Sequence, residues 1–204
     1  MGLYRDYVLP HVTNLSMRNS ENLPYRRRVT SAAEGRVLEI GIGSGLNLPF
    51  YPAAVSEIVG LEPSPQLAAM ARRAARDTAL HVSLIEGSAE AIPLDSGSID
   101  TVVTSWTLCT IAGADQALKE MRRVLRPGGQ LLFVEHGLAP EAEVRKWQNR
   151  LTPVWKVIGG GCHLNRPIRS LIENGGFRIT GIETGYAKGP RPMTFMYEGR
   201  ALPG

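Results

Sequence analysis

Three glycines alternate with other residues directly after a short apolar run. The run is Val37–Ile40, and the glycines are Gly41, Gly43 and Gly45. An apolar run of this kind predicts a strand buried in a parallel sheet. Glycines at its end allow the backbone to turn sharply and allow a ligand to come close to the main chain. A strand followed by such a turn is typical of nucleotide sites in α/β folds, although the turn alone also fits an ordinary tight turn.

The glycine spacing and a later carboxylate indicate what kind of ligand this turn would hold. A dinucleotide loop, G-x-G-x-x-G, would have its third glycine at position 46, which is Leu46. A second apolar run, Ile58–Leu61, ends in Glu62, about 20 residues beyond the glycines. A carboxylate there can accept hydrogen bonds from both hydroxyls of a ribose. The alternative is a surface glutamate at a strand end, but the combination favours a ribose-containing ligand other than NAD.

Length and composition indicate one α/β domain with a substantial core. The chain has 204 residues, of which 43% are hydrophobic and 21% charged, as in ordinary globular proteins. It has no apolar run of about 20 residues, and its start lacks the apolar core of a signal peptide. Two cysteines, Cys109 and Cys162, are too few for a disulfide framework or a zinc site. We therefore expect a cytoplasmic protein that binds no metal and has no integral membrane segment.

The charge distribution argues against a nucleic-acid partner. The formal net charge is +4, and the arginines occur in small groups around positions 26–28, 72–76 and 122–126. The last two groups fall on the polar faces of predicted helices, where solvated side chains are the simplest explanation. Nucleic-acid binding would require a basic stripe interleaved with aromatic residues, which the sequence does not show. A weak attraction to acidic membrane surfaces stays open.

Four motifs in succession resemble those of class I S-adenosylmethionine-dependent methyltransferases. They are Glu39–Gly45 (EIGIGSG), Gly60–Pro63 (GLEP), Glu86–Glu90 (EGSAE) and Leu125–Gly129 (LRPGG). Their order makes the resemblance far more specific than any one motif, and it covers nearly the whole chain. It implies an α/β fold: a doubly wound, mostly parallel, seven-stranded Rossmann-like sheet with N-terminal helices. Within a single domain, residues 1–34 would form a helical cap, residues 35–136 the cofactor-binding core, and residues 137–204 the substrate-side helices and closing strands.

Hydrophobic periodicity and capping residues predict the remaining elements. The predicted helices are Tyr4–Leu15 with an interruption at Pro10, Tyr25–Ala33, a short turn at Leu46–Phe50, one starting at Pro65 after a Ser64 cap, Ala114–Leu125, apolar segments around Pro153, and Pro167–Asn174. The further predicted strands are His81–Ile85, Asp100–Thr104, Gln130–His136, Phe177–Glu183 and Met193–Glu198.

The resemblance implies S-adenosyl-L-methionine as the cofactor and assigns it to the loops after the first four strands. The expected contacts are Glu39, Gly41, Gly43, Gly45 and Asn47 at the first strand, Glu62 and Pro63 at the second, Ser88, Ala89 and Glu90 at the third, and Ser105, Trp106 and Thr107 at the fourth. Many family members have aspartate at the position of Ser88, and serine would accept a hydrogen bond from the adenine amino group less strongly. Plain core packing is an equal alternative for Trp106.

The resemblance also suggests the methyl acceptor, which would be a small molecule. The stretches Tyr51-Pro52, Leu108-Cys109, Val134–His136, Pro153–Trp155 and Gly161-Cys162 are similar to animal methyltransferase-like proteins that methylate alkyl thiols. Methyl transfer requires mainly that the enzyme align the nucleophile and exclude water. A thiol with a pKa near 8.5 needs only modest help to ionise.

Two histidines are candidate bases for that ionisation, because imidazole titrates near neutrality. We favour His136, which ends a central strand, over His163; the alternative for each is a hydrogen-bonded structural histidine. Three functions stay open: a methyltransferase of thiols or other small molecules, a methyltransferase of lipid headgroups or quinones, and a non-catalytic protein that binds S-adenosylmethionine.

Overall fold

The structure is a computed structural model that describes residues 2–204. Its strands are β1 (Gly35–Ile40), β2 (Val55–Glu62), β3 (Val82–Glu86), β4 (Ile99–Ser105), β5 (Leu125–His136), β6 (Phe177–Tyr186) and β7 (Phe195–Pro203). Its α-helices are α1 (Leu9–Met17), α2 (Leu23–Ser31), α3 (Pro65–Ala75), α4 (Ala114–Val124), α5 (Ala142–Ile158), α6 (Ile168–Asn174) and α7 (Arg191–Thr194). A π-helix (Tyr4–Val8) precedes α1, and 3₁₀ turns cover Ser20–Asn22 and Leu48–Phe50.

The strands form one seven-stranded sheet in the order β3-β2-β1-β4-β5-β7-β6. The first five strands are parallel, whereas β7 runs antiparallel to β5 and β6. The strand order reverses between β1 and β4, and ligands of open α/β sheets bind at the carboxyl ends of the strands beside such a reversal. This architecture confirms the predicted doubly wound, mostly parallel sheet.

Alternating residues of the central strands build a core on each face of the sheet. In β1, Leu38 and Ile40 join a cluster that includes Met121 of α4, while Val37 joins the opposite cluster with Val29 of α2. Both faces are covered by helices, which explains why the central strands read as continuous apolar runs. The sheet thereby fixes the strand ends at which the candidate site lies.

The largest difference from the sequence prediction lies around Pro153. The apolar residues there predict separate segments, but α5 is one helix of 17 residues that passes through Pro153. Its buried side chains are Val144, Gln148 and Thr152, whereas Trp147 and Val154 are exposed. The prediction was wrong because a proline disfavours but does not forbid a helix interior when tertiary contacts hold the backbone. At Pro10, by contrast, the proline lies in the first turn of α1, as the sequence predicts.

In the part of the chain that the structure describes, no helix combines the length and apolar character needed to cross a membrane.

Candidate active site

A cavity of about 470 Å³ opens at the carboxyl ends of β1, β2 and β4. Its volume lies within the range of about 300–1,000 Å³ typical of small-ligand sites. The predicted cofactor residues that line it are Glu39, Gly41, Gly43, Asn47, Glu62, Pro63, Ser88, Ala89, Glu90, Ser105, Trp106 and Thr107. Gly45 does not line it: a Cβ there would lie 3.0 Å from Leu48 and 3.1 Å from Ala74, so this glycine allows the turn to pack against α3.

The backbone of Gly43 presents an open face to the cavity. Its φ angle is +59°, and a Cβ atom built on it would meet only the Gly41 carbonyl oxygen, at 3.9 Å. Gly41 has a similar φ of +63°, but a Cβ there would lie 2.5 Å from the Thr107 side chain. Gly41 therefore lets the loops after β1 and β4 approach each other, and Gly43 lets a ligand approach the main chain.

Glu62 lies at the end of β2 with its carboxylate anchored by the neighbouring backbone. One oxygen accepts a hydrogen bond from Gly43 N at 3.0 Å, and the other accepts one from Ser64 N at 2.9 Å. Burial raises the pKa of Glu62, against these two hydrogen bonds from Ser64 and Gly43. Each oxygen keeps a second lone pair, so the carboxylate can accept two further hydrogen bonds from a ligand in the cavity.

A buried network of polar side chains holds the glycine loop after β1 in place. Asn47 donates to Glu39 at 2.7 Å and to Ser105 at 2.9 Å, and its carbonyl oxygen accepts from Arg26 at 2.7 Å. The other carboxylate oxygen of Glu39 accepts from Tyr51 at 2.9 Å. Burial raises the pKa of Glu39 to about 7, against the hydrogen bonds from Tyr51 and Asn47. Asn47 lines the cavity, but these contacts already engage most of its amide, so its main effect is to position its neighbours.

Arg26 is a site residue that sequence reasoning missed. It lines the cavity, is only 5% exposed, and its guanidinium carbon lies 5.0 Å from the centre of the Trp106 ring. In the sequence it stands out only as part of the basic group at positions 26–28, with no role assigned to it. The available signal was its helical spacing, because Val29 and Thr30 follow three and four residues later and face the core.

The N-terminal helix covers part of the cavity. Leu9, Pro10, Thr13, Asn14 and Met17 of α1 line it. The side-chain oxygen of Asn14 accepts a hydrogen bond from Ser44 at 2.7 Å, which connects α1 to the glycine loop. The helix thereby limits the access of water to the cavity.

The loop after β3 contributes side chains that also organise their surroundings. Ser88 donates to Glu90 at 3.1 Å, and the other carboxylate oxygen of Glu90 accepts from Gly113 N, directly before α4. The Ser88 oxygen also accepts from Glu90 N at 3.2 Å. Glu90 is therefore engaged at the start of α4, and Ser88 keeps one lone pair for a ligand.

The loop after β4 is held in a strained conformation by a buried carboxylate. Trp106 has a φ of +51°, which is unusual for a bulky residue and occurs mainly where surrounding structure imposes it. Glu135 accepts hydrogen bonds from Thr107 N at 3.0 Å and Leu108 N at 3.1 Å. Burial raises the pKa of Glu135 to about 7. No local sequence pattern marks Glu135, because its role depends on contacts across 27 to 28 positions.

The two candidate bases occupy different places. A second cavity adjoins the first and shares with it Leu9, Thr110, Ala112 and Gly160. His163 lines this second cavity. Among the described residues, His136 lines neither cavity. The His163 Nδ1 atom lies 3.2 Å from the Cys109 carbonyl oxygen and 3.2 Å from Arg166 Nη2. Either contact fixes the orientation of the ring.

His136 lies against the two cysteines. Its Nε2 atom is 3.0 Å from Cys162 Sγ, which lies 3.7 Å from Cys109 Sγ. The hydrogen bond shared with Cys109 and then the one with His136 lower the pKa of Cys162 against the effect of burial, whereas the shared bond and burial raise the pKa of Cys109. Cys162 is therefore the first of the two thiols to ionise. Burial lowers the pKa of His136, but the hydrogen bond and charge of Cys162 outweigh it and the net shift is upward.

Comparisons with known proteins agree with this geometry. Residues 38–133 match the family described as methyltransferase domain. The chain is 31% identical to human thiol S-methyltransferase TMT1B, over 98% of this chain and 84% of the human protein. It is 30% identical to phosphatidylethanolamine N-methyltransferase of Cereibacter sphaeroides, over 65% of this chain and 66% of that protein. A SAM-dependent methyltransferase of Thermotoga maritima, described as a possible histamine N-methyltransferase, superposes with a TM-score of 0.67 at 21% identity, over 98% of this chain and 100% of that chain.

The cavity itself fits an adenosyl cofactor on two separate observations. Glu62 offers carboxylate lone pairs at the end of β2, and Gly43 leaves the space that a Cβ would occupy open to the cavity. The sheet order, this cavity and the similarity along the chain lead to one conclusion: the chain belongs to the class I S-adenosylmethionine-dependent methyltransferases.

Proposed function

We propose that this enzyme methylates the sulfur atom of a small, rather apolar thiol. The observation that carries the proposal is the second cavity, of about 400 Å³, which shares walls with the first. Leu9, Val157 and two glycines give it an apolar wall, and its polar groups come from Tyr4, Thr110, Lys156 and His163. Similarity to a thiol S-methyltransferase along 98% of the chain supports the same acceptor.

In methyl transfer, one cavity would hold the cofactor and the other would hold the methyl acceptor. S-adenosylmethionine, when bound, supplies an activated methyl group, so the protein need not activate a leaving group. Glu62 and the glycine loop would hold the cofactor in the first cavity, and the apolar walls of the second would hold the acceptor. Leu9 of α1 lines both cavities and Tyr4 of the π-helix lines the second, so these two segments would restrict water. We further propose the division of the chain into an N-terminal cap, a cofactor core and a substrate-side region.

His163 is the histidine better placed to receive the acceptor proton. Nδ1 faces both the Cys109 carbonyl oxygen and Arg166 Nη2; in the tautomer whose Nδ1–H donates to the carbonyl, Nε2 is unprotonated and can act as an acceptor. Within residues 2–204, no hydrogen-bond partner engages Nε2. The sequence favours His136, but its Nε2 is engaged by Cys162. A base role for His136 stays a prediction, and would require a water or a rearrangement of Cys162.

A panel of acceptors tests the proposed substrate class. The purified chain is incubated with S-adenosylmethionine and either an alkyl thiol, the alcohol of the same chain length, a phenol or a primary amine. We expect turnover with the thiol to exceed that with the matched alcohol by roughly 100-fold or more, because a thiol ionises far more readily. Equal rates for the thiol and alcohol, or methylation confined to the amine, would contradict the proposal.

Methylation of a lipid headgroup or quinone is a second candidate, favoured by exposed apolar side chains beside the second cavity. Tyr4 and Val157 line that cavity and are 42% and 76% exposed. Tyr4 donates a hydrogen bond to the Ile158 carbonyl at 2.9 Å, which joins the N-terminal segment to the end of α5. Other exposed apolar residues in these two segments are Leu3, Tyr7, Val8, Val12, Leu15, Val154 and Ile158. Phosphatidylethanolamine vesicles and a quinol, added to the same assay, decide between the two candidates. Only the lipid or quinone candidate predicts that turnover with the vesicles or the quinol exceeds turnover with the thiol.

Replacing Glu62 by alanine is expected to weaken cofactor binding by roughly 10- to 100-fold. The lost hydrogen bonds involve a charged acceptor and are worth about 1.5–3 kcal/mol. Calorimetric titration with S-adenosylhomocysteine measures the effect. Glu86→Ala is the matched control, because Glu86 ends the neighbouring strand β3 but pairs with Arg72 outside the cavity. If the two variants lose affinity equally, Glu62 is not the ribose acceptor.

A further inference from the structure

Three potential metal ligands from separate segments meet behind the wall of the second cavity. Cys109 follows β4, His136 ends β5, and Cys162 follows α5. The two Sγ atoms and one ring nitrogen of His136 all lie within 4.8 Å of one another. We propose that these three residues bind one thiophilic divalent cation of the zinc class.

The distance between the two sulfur atoms is close to that of a tetrahedral zinc site. With Zn–S at about 2.3 Å and Zn–N at about 2.05 Å, two sulfurs are about 3.8 Å apart, and a sulfur and a nitrogen about 3.6 Å. The Sγ atoms of Cys109 and Cys162 are 3.7 Å apart. The His136 Nε2–Cys162 Sγ distance of 3.0 Å would lengthen by about 0.6 Å as the ion replaces the hydrogen bond.

The chemistry of the three ligands selects the class of ion. Thiolate sulfur and imidazole nitrogen favour zinc and other thiophilic metals over magnesium or calcium, which prefer oxygen. Two thiolates neutralise the double charge of the ion, which suits a site where Cys109 is 2% exposed and Cys162 is 8% exposed. Two protons leave the thiols as the ion binds. Three protein ligands leave a fourth position, which sites of this composition fill with water or another small ligand.

The surrounding backbone already holds the two cysteine-bearing segments together. His163 N donates to the Cys109 carbonyl at 2.9 Å, and Cys162 N donates to the Gly159 carbonyl at 3.2 Å. Thr110, next to Cys109, and Gly161, next to Cys162, both line the second cavity. An ion here would therefore fix two walls of that cavity. The inference does not depend on which acceptor the enzyme methylates.

The test measures metal binding by the tag-free chain under reducing conditions. Native mass spectrometry after zinc addition should show one zinc ion per chain, and cobalt substitution should produce a thiolate-to-cobalt charge-transfer band. Cys109→Ser, Cys162→Ser and His136→Asn should each weaken zinc binding by at least about 100-fold, since each removes one of three ligands. His163→Asn is the matched control, because it replaces the neighbouring histidine outside the cluster, and its zinc affinity should equal that of the parent.

Two results would overturn the inference. One is a parent chain that binds no zinc under these conditions, a measurement that does not depend on any variant folding. The other is unchanged affinity in the folded cysteine variants, which would place the ion elsewhere. If the parent binds no zinc but loses two hydrogens in mass when reductant is removed, Cys109 and Cys162 form a redox-active pair instead.

Discussion

Replacing Gly43 by valine is expected to lower the affinity for S-adenosylhomocysteine by at least about 100-fold, which is about 2.7 kcal/mol. Two effects act together. A side chain at this position extends into the cavity, because its Cβ would meet nothing closer than a carbonyl oxygen at 3.9 Å. In addition, a β-branched residue is strained at a φ of +59°. Calorimetric titration measures the affinity, and circular dichroism shows whether the sheet is folded.

Gly97→Val separates the two effects. Gly97 has nearly the same φ, +63°, and a Cβ there would meet nothing within 4 Å, but it lies outside the cavity. This variant therefore carries the backbone strain without obstructing the ligand, and its cofactor affinity should match that of the parent. If Gly43→Val binds as tightly as Gly97→Val, the cofactor does not contact the glycine loop.

The meeting of the predicted residues of this loop in one cavity has a local cause. The apolar run of β1, the glycines and Glu62 are parts of two strand–turn units, and each unit shows its structure in a few consecutive residues. The relation between the two units follows from the fold, because neighbouring parallel strands end at the same edge of the sheet. The predicted cofactor residues thus converge on one cavity, apart from Gly45, which faces α3.

The parts that the sequence did not reveal depend on contacts between distant residues. Arg26 meets Asn47 across 21 positions, and the Cys162 thiol meets Cys109 across 53. Neither pair has a local pattern, and counting cysteines alone cannot show that a histidine completes a three-ligand cluster. Which face of α5 is buried could not be predicted from the sequence for a related reason. Its buried face contains Gln148, whose amide is satisfied by the backbone of the loop after β5, so burial there does not follow hydrophobicity.

The second large expected effect is on turnover and concerns the cavity proposed to hold the methyl acceptor. We expect His163→Ala to lower kcat for an alkyl thiol by roughly 10²–10⁴-fold, the usual contribution of a positioned base. The cofactor affinity should change little, because His163 is absent from the described lining of the first cavity. His136→Ala is compared in the same assay, together with its zinc content, since His136 contacts Cys162 rather than the cavity.

Thiols of different acidity distinguish loss of a base from a general disturbance of the pocket. An aryl thiol ionises more readily than an alkyl thiol, so it needs less help from the protein. If His163 receives the proton, its alanine variant should lose far more kcat with the alkyl thiol than with an aryl thiol of similar size. A disturbed pocket would slow both acceptors alike or raise KM instead. If His163→Ala loses kcat equally with the two thiols, His163 is not the base. If only His136→Ala loses more kcat with the less acidic alkyl thiol than with the aryl thiol, His136 is the base instead.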